Sequence, residues 1–158
     1  MAKVLSQKFY DEMKKLESRY PTKVALLLPA LHSAQEEYGW IAPEVMDEIG
    51  ALIGIHPAQV KEVASFYSMY YMKPVGKHQL RICTNVACAL RGAEDLVVYC
   101  EKKLGIQVGQ TTADRKFSLF EEECLGACGT APAMMLDNKE YFENLDTRKL
   151  DEIIGRLE

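Results

Sequence analysis

The chain has 158 residues, of which 48% are hydrophobic and 27% charged, and its formal net charge is −4. This composition supports a soluble globular protein with a core of its own, and the acidic balance argues against nucleic acid, whose binders carry a basic footprint. No apolar run approaches the ~18 residues of a membrane span, and the stretch from Met1 to Tyr10 lacks the apolar segment of a signal peptide, so the expected setting is the cytoplasm, where cysteines are ligands or catalysts rather than structural disulfides.

Leu5, Phe9, Met13, Leu16 and Tyr20 recur at helical spacing and predict a first amphipathic helix, ended by Pro21. The segment 22–38 predicts a second, with Leu27, Leu31, Ala34 and Tyr38 on one face, a kink or late start at Pro29, and a stop at Gly39. Two shorter helices open at Pro43 and Pro57 and run to about Ile53 and Ala64; each proline suits the first helical position. The aromatic stretch Phe66-Tyr67-Ser68-Met69-Tyr70-Tyr71 ends this helical half. Lys73-Pro74-Val75-Gly76-Lys77 reads as a linker, which predicts domains over 1–74 and 75–158.

The second half predicts a strand at 78–84, a single helix over 89–104 and a second strand at 117–121. A hairpin of 133–136 and 141–143 follows, turned by Asp137-Asn138. A last helix begins near Thr147, capped by Thr147 or Asp146, with Leu150, Ile153, Ile154 and Leu157 inward. The fold class expected is α+β, an N-terminal helical bundle followed by a small α/β domain of strand, helix, three strands and helix.

The cysteines are unevenly placed. None precedes Cys83; four form two close pairs, Cys83-x4-Cys88 and Cys124-x3-Cys128, separated by 35 residues, and Cys100 stands alone. Each pair falls in a loop at the end of a predicted strand, where a rigid scaffold presents functional groups. Four thiolates hold either one zinc ion or one iron–sulfur cluster, and spacings of x3 and x4 are compatible with both. A dithiol–disulfide pair would show C-x-x-C, which is absent. A two-iron cluster on four thiolates is doubly negative when oxidised and triply negative when reduced, so it needs inward N–H donors and positive dipole ends. Cys88 at a predicted helix start and the glycines Gly126 and Gly129 around Cys128 meet that need.

The segments Cys83-Thr84-Asn85-Val86-Ala87-Cys88 and Glu123-Cys124-Leu125-Gly126-Ala127-Cys128-Gly129-Thr130-Ala131-Pro132-Ala133-Met134 resemble the thioredoxin-like [2Fe–2S] ferredoxin family. In the helical half, the run from Pro29 to Ile41 and the run from Val63 to Tyr70 are similar to the [2Fe–2S] subunits of NADH:quinone oxidoreductase (respiratory complex I), so the resemblance spans nearly the whole chain. It implies a thioredoxin-like second domain and one [2Fe–2S] cluster, with Cys83 and Cys88 on one iron and Cys124 and Cys128 on the other. It also implies a flavoprotein partner that binds NADH and FMN, larger iron–sulfur subunits beside it in the peripheral arm of a membrane-attached complex, and a cluster that exchanges single electrons with that FMN. An equivalent subunit of an NAD-linked hydrogenase or formate dehydrogenase is the nearest alternative, and a four-cysteine zinc interaction domain a further one. A cis Ala131–Pro132 peptide is a last implication.

The remaining residues have plainer readings. Cys100 lies on the apolar face of its helix with Val97 and Leu104 and reads as core. His32, His56 and His78 are scattered, and His56 before Pro57 reads as a helix cap. Phe66, Tyr67, Tyr70 and Tyr71 read as core or interface. The two short helices at 43–64 carry only Lys61 as a base against several acids, which disfavours DNA binding. With no nucleotide-binding glycine loop and no acid–base constellation, the isolated chain is expected to be an electron carrier without a catalytic site of its own.

Overall fold

A computed structural model describes residues 3–157. The chain forms two compact units, Met1–Pro74 and Val75–Glu158.

The first unit is helical. Its elements are α1 (Gln7–Glu17), a 3₁₀ turn (Lys23–Leu26), α2 (Leu27–Tyr38), α3 (Pro43–Ile53) and α4 (Pro57–Phe66). Pro29 falls in the first turn of α2, where no N–H is missed, so the helix starts late and is not kinked. Gly39 and Gly54 end α2 and α3 in the left-handed conformation. His56 caps α4: its ring nitrogen accepts the Ala58 N–H, and the Gln59 side chain accepts the His56 N–H. Phe9, Met13, Leu31, Ile41 and Ile49 fill the core, whereas Tyr20 and Tyr38, expected inward from their spacing, are 37% and 39% exposed. Polar clasps fix the edges. The Glu48 carboxylate accepts the N–H groups of Val4 and Leu5 and the Tyr10 hydroxyl at 3.1, 2.9 and 2.9 Å. Gln35 bonds the backbone of Met69 and Tyr71, at 2.8 and 2.7 Å.

The second unit is a four-stranded sheet with helices packed on its core face. Its strands are β1 (His78–Cys83), β2 (Phe117–Glu122), β3 (Met134–Leu136) and β4 (Glu140–Phe142), in the order β2-β1-β3-β4. β1 and β2 are parallel; the other pairings are antiparallel. The β3–β4 turn uses Asp137 and Asn138 with φ of 54° and 56°, the left-handed pair that a tight hairpin turn demands. The helix expected over 89–104 is two helices, α5 (Val86–Leu90) and α6 (Ala93–Leu104). Gly92 at φ 86° breaks them, so Cys88 lies within a short helix and not ahead of a long one. α6 and α7 (Thr147–Leu157) bury Leu96, Val97, Cys100, Leu150, Ile153 and Ile154 against Leu80, Ile82, Leu119, Met134 and Leu136. Asp151 of α7 accepts the Tyr99 hydroxyl at 2.6 Å and pairs with Lys103 at 2.7 Å, both from α6. Asp146 caps α7 by accepting the Lys149 N–H at 2.7 Å. Among the described residues no helix is long and apolar enough to cross a membrane.

Candidate metal centre

The first cysteine pair grows out of β1. Hydrogen bonds hold the end of that strand on both sides: the Cys83 N–H donates to the Ala133 carbonyl at 3.0 Å, and the Thr84 N–H to the Glu122 carbonyl at 3.1 Å. Asn85 then turns the chain into α5 by accepting the Val86 N–H at 2.8 Å. Its amide also donates to the Glu123 carbonyl at 2.6 Å, so one side chain joins the two cysteine loops. One turn of helix carries Cys88 back toward Cys83. Both are buried, and their thiols lie close enough to act on each other. The Cys88 thiol is pushed up chiefly by burial and then by Cys83; the Ala133 N–H donated to its sulfur works the other way.

The second pair stands on the loop after β2. Cys124 and Cys128 are exposed. The Cys124 sulfur accepts the Gly126 N–H at 3.3 Å, a contact that needs Gly126 at φ 71°. Cys128 opens a 3₁₀ turn, Cys128–Thr130, which leads into a cis Ala131–Pro132 peptide.

The four sulfurs therefore gather unevenly. Cys83 and Cys88 are in contact, and Cys128 is near enough to act on Cys88 electrostatically, whereas Cys124 meets the Gly126 N–H. Among the described residues, no group of three or more His, Cys, Asp or Glu side chains is arranged to hold a single metal ion. Cys100 is buried in the core, with its thiol pushed up to about 12 by burial, and takes no part.

Two features near the site are not evident from the sequence alone. One is the Asn85 bond to Glu123. The other is an ion pair between Arg81, two residues before Cys83, and Glu122, two before Cys124. Arg81 Nε and Nη2 lie 2.7 and 2.6 Å from one Glu122 oxygen. A charged residue between Leu80 and Ile82 in an apolar strand is the visible signal; its burial depends on how the strand packs.

Parallel strands joined by a helical crossover, then a hairpin and a helix, with paired cysteines at the strand ends, define a class. Residues 13–158 match the model of the thioredoxin-like [2Fe–2S] ferredoxins, and the chain belongs to that family. It is 38% identical over 144 residues to an NADH-quinone oxidoreductase subunit of Rhizobium meliloti, across 91% of this chain and 85% of the relative. It is 39% identical over 149 residues to NADH-quinone oxidoreductase subunit 2 of Thermus thermophilus, across 93% and 82%. Among solved structures, air-oxidized NAD+-reducing [NiFe]-hydrogenase superposes with a TM-score of 0.74 at 26% identity, over 84% of this chain but only 22% of that one.

The cofactor of this family is one [2Fe–2S] cluster, and the donor set fits it. Four thiols stand on two loops tied by Asn85, with N–H groups of Ala133 and Gly126 already directed at sulfur. No heavy atom outside the adjoining residues lies within 4 Å of where a Cβ would stand at Gly126 or Gly129, so the second loop is free of crowding.

Proposed function

We propose that this chain is the [2Fe–2S] electron-transfer subunit of an NADH:quinone oxidoreductase, with Cys83, Cys88, Cys124 and Cys128 as the cluster's ligands. One-electron exchange is the chemistry the bound cluster supplies. The observation that carries the reading is the junction of the two cysteine loops at the ends of adjacent parallel strands: Cys83 and Cys88 in contact, Cys128 close to them, and Asn85 spanning the gap.

Each residue has a distinct task. Cys83 and Cys88 seat one end of the site in the core, where water is excluded. Cys88 would hold the cluster as a thiolate, a form that burial disfavours in the absence of a metal. Cys124 and Cys128 present the other end at the surface, where a partner reaches it. The Ala133 and Gly126 N–H groups stabilise negative charge on sulfur. FMN and NADH belong to the flavoprotein partner, and the larger iron–sulfur subunits adjoin it in the peripheral arm, on the cytoplasmic side of a membrane-attached complex.

Metal analysis and EPR of the purified chain, before and after dithionite, test this. Equal iron and acid-labile sulfide, with a paramagnetic signal that appears on reduction, support it; a colourless, EPR-silent protein with stoichiometric zinc overturns it. The superposition on an NAD+-reducing hydrogenase favours a second reading, the same module in an NAD-linked hydrogenase. Isolation of the native complex separates the two: NADH:quinone activity in the particle supports the first, hydrogen-dependent NAD reduction the second.

A further inference from the structure

Arg81 and Glu122 form a nearly buried ion pair, their side chains 4% and 13% exposed. Glu122 accepts both Nε and Nη2 of Arg81, and the guanidinium also lies 5.2 Å from the centre of the Phe120 ring. Both members adjoin the cysteine loops. Strand alternation sets Arg81 on the same side of β1 as Cys83, about 7 Å along, and the β1–β2 register brings Glu122 level with Cys83 itself. Glu121 and Glu123, its neighbours, are exposed and screened by water; Glu122 is not. A carboxylate at this place opposes the arrival of another negative charge on the thiolates beside it, and Arg81 cancels that opposition.

We propose that Arg81 and Glu122 are a positioning pair that sets the reduction potential of the cluster held by the four cysteines, with Arg81 neutralising the carboxylate that β2 places beside Cys83. The inference rests on the ligand set proposed above. Reduction adds one negative charge to the site, so its equilibrium responds to every fixed charge nearby. At an effective dielectric near 20, a unit charge about 10 Å away shifts such an equilibrium by about tenfold or more. Arg81→Gln removes the positive charge that faces the carboxylate and lowers the potential. Glu122→Gln leaves an amide that still accepts from Arg81, unmasks the guanidinium and raises the potential. The double variant Arg81→Gln/Glu122→Gln removes both charges and returns the potential close to the parent value. A purely structural role gives no such opposition of sign.

The experiment is an EPR-monitored redox titration of the full chain carrying its cluster, for the parent and these three variants. The expected result is at least a tenfold change in the reduction equilibrium for each single variant, about 59 mV for a one-electron couple, in opposite directions, with the double variant between them. If Arg81→Gln fails to retain a cluster, Glu122→Gln decides: a tenfold rise supports the proposal and an unmoved potential overturns it. A parent chain without any iron–sulfur signal refutes the ligand assignment instead, whereas a normal parent signal with unshifted variants refutes only the role of the pair.

Discussion

Asn85 and Glu123 are joined across 38 positions of sequence: the Asn85 amide donates to the Glu123 carbonyl at 2.6 Å while its oxygen caps α5 through the Val86 N–H at 2.8 Å. One side chain thus satisfies a helix start and fixes the separation of the two cysteine loops. Asn85→Ala removes both bonds and is expected to cost about 1–2 kcal/mol. Asn85→Asp keeps the cap but turns a donor into a like-charged acceptor facing a carbonyl. Both variants should bind iron less completely than the parent, Asn85→Asp with the smaller loss of helix stability. Iron content and urea unfolding of the same preparations check this.

Gly76 is a glycine where a side chain has nowhere to go. A Cβ there would lie 2.6 Å from the Phe117 carbonyl carbon and 2.8 Å from its nitrogen, both backbone atoms of β2, and the Gly76 N–H donates to the buried Ser118 hydroxyl at 2.8 Å. Gly76→Ala is therefore expected to destabilise the second unit by more than about 2 kcal/mol. Gly155 is the contrast. It lies inside α7 with nothing within 4 Å of its added Cβ, so Gly155→Ala should stabilise by about 0.5–1 kcal/mol. Denaturant midpoints of the two variants should move in opposite directions.

Two tyrosines make the helical unit sensitive to alkali. Burial, then the bond to Glu48, pushes the Tyr10 phenol from 10.0 up to about 12. Burial, then Tyr67, does the same to Tyr70. A group whose pKa is raised in the folded state binds its proton more tightly there than when unfolded. The stability it lends is complete below about pH 10 and is lost as the pH climbs through about 12. The thermal midpoint of the helical unit should hold up to about pH 10 and fall beyond it, with Tyr10→Phe flattening part of that fall. Tyrosinate absorbance in a pH titration shows which phenols ionise only on unfolding.

Cys88 and Cys100 are both buried, yet their substitution should differ in kind. Cys100→Ala opens a small cavity in the core it shares with Leu96 and Ile154, costs about 1–2 kcal/mol, and leaves the iron–sulfur signal intact. Cys88→Ser removes a proposed ligand and should abolish or distort that signal at a smaller loss of stability. Thiol labelling of the native chain should leave Cys100 unmodified, since burial holds its thiol up at about 12 and seals it from solvent.

The chain's local features are legible wherever a residue acts on its own neighbours. Pro43 and Pro57 mark helix starts to the residue, His56 caps α4, and Asp137-Asn138 turns the hairpin, because fixed φ, missing donors and tolerance of positive φ are properties of the residue. The cysteine spacing marks the proposed metal site for the same reason: residue type and loop placement are written along the chain. Gly92 reads as helix from its neighbours, and its left-handed φ of 86°, which divides α5 from α6, shows only in the fold.

By itself, then, the sequence determined the periods, the breaks, and the four thiols at strand ends; these follow from covalent geometry and short-range sterics. Which charges surround those thiols was decided only when β1 and β2 paired in register. That pairing set Glu122 level with Cys83, buried Arg81 against it, and let Asn85 reach Glu123. Burial and cross-strand neighbours are properties of the packed sheet, and no run of residues along one strand carries them.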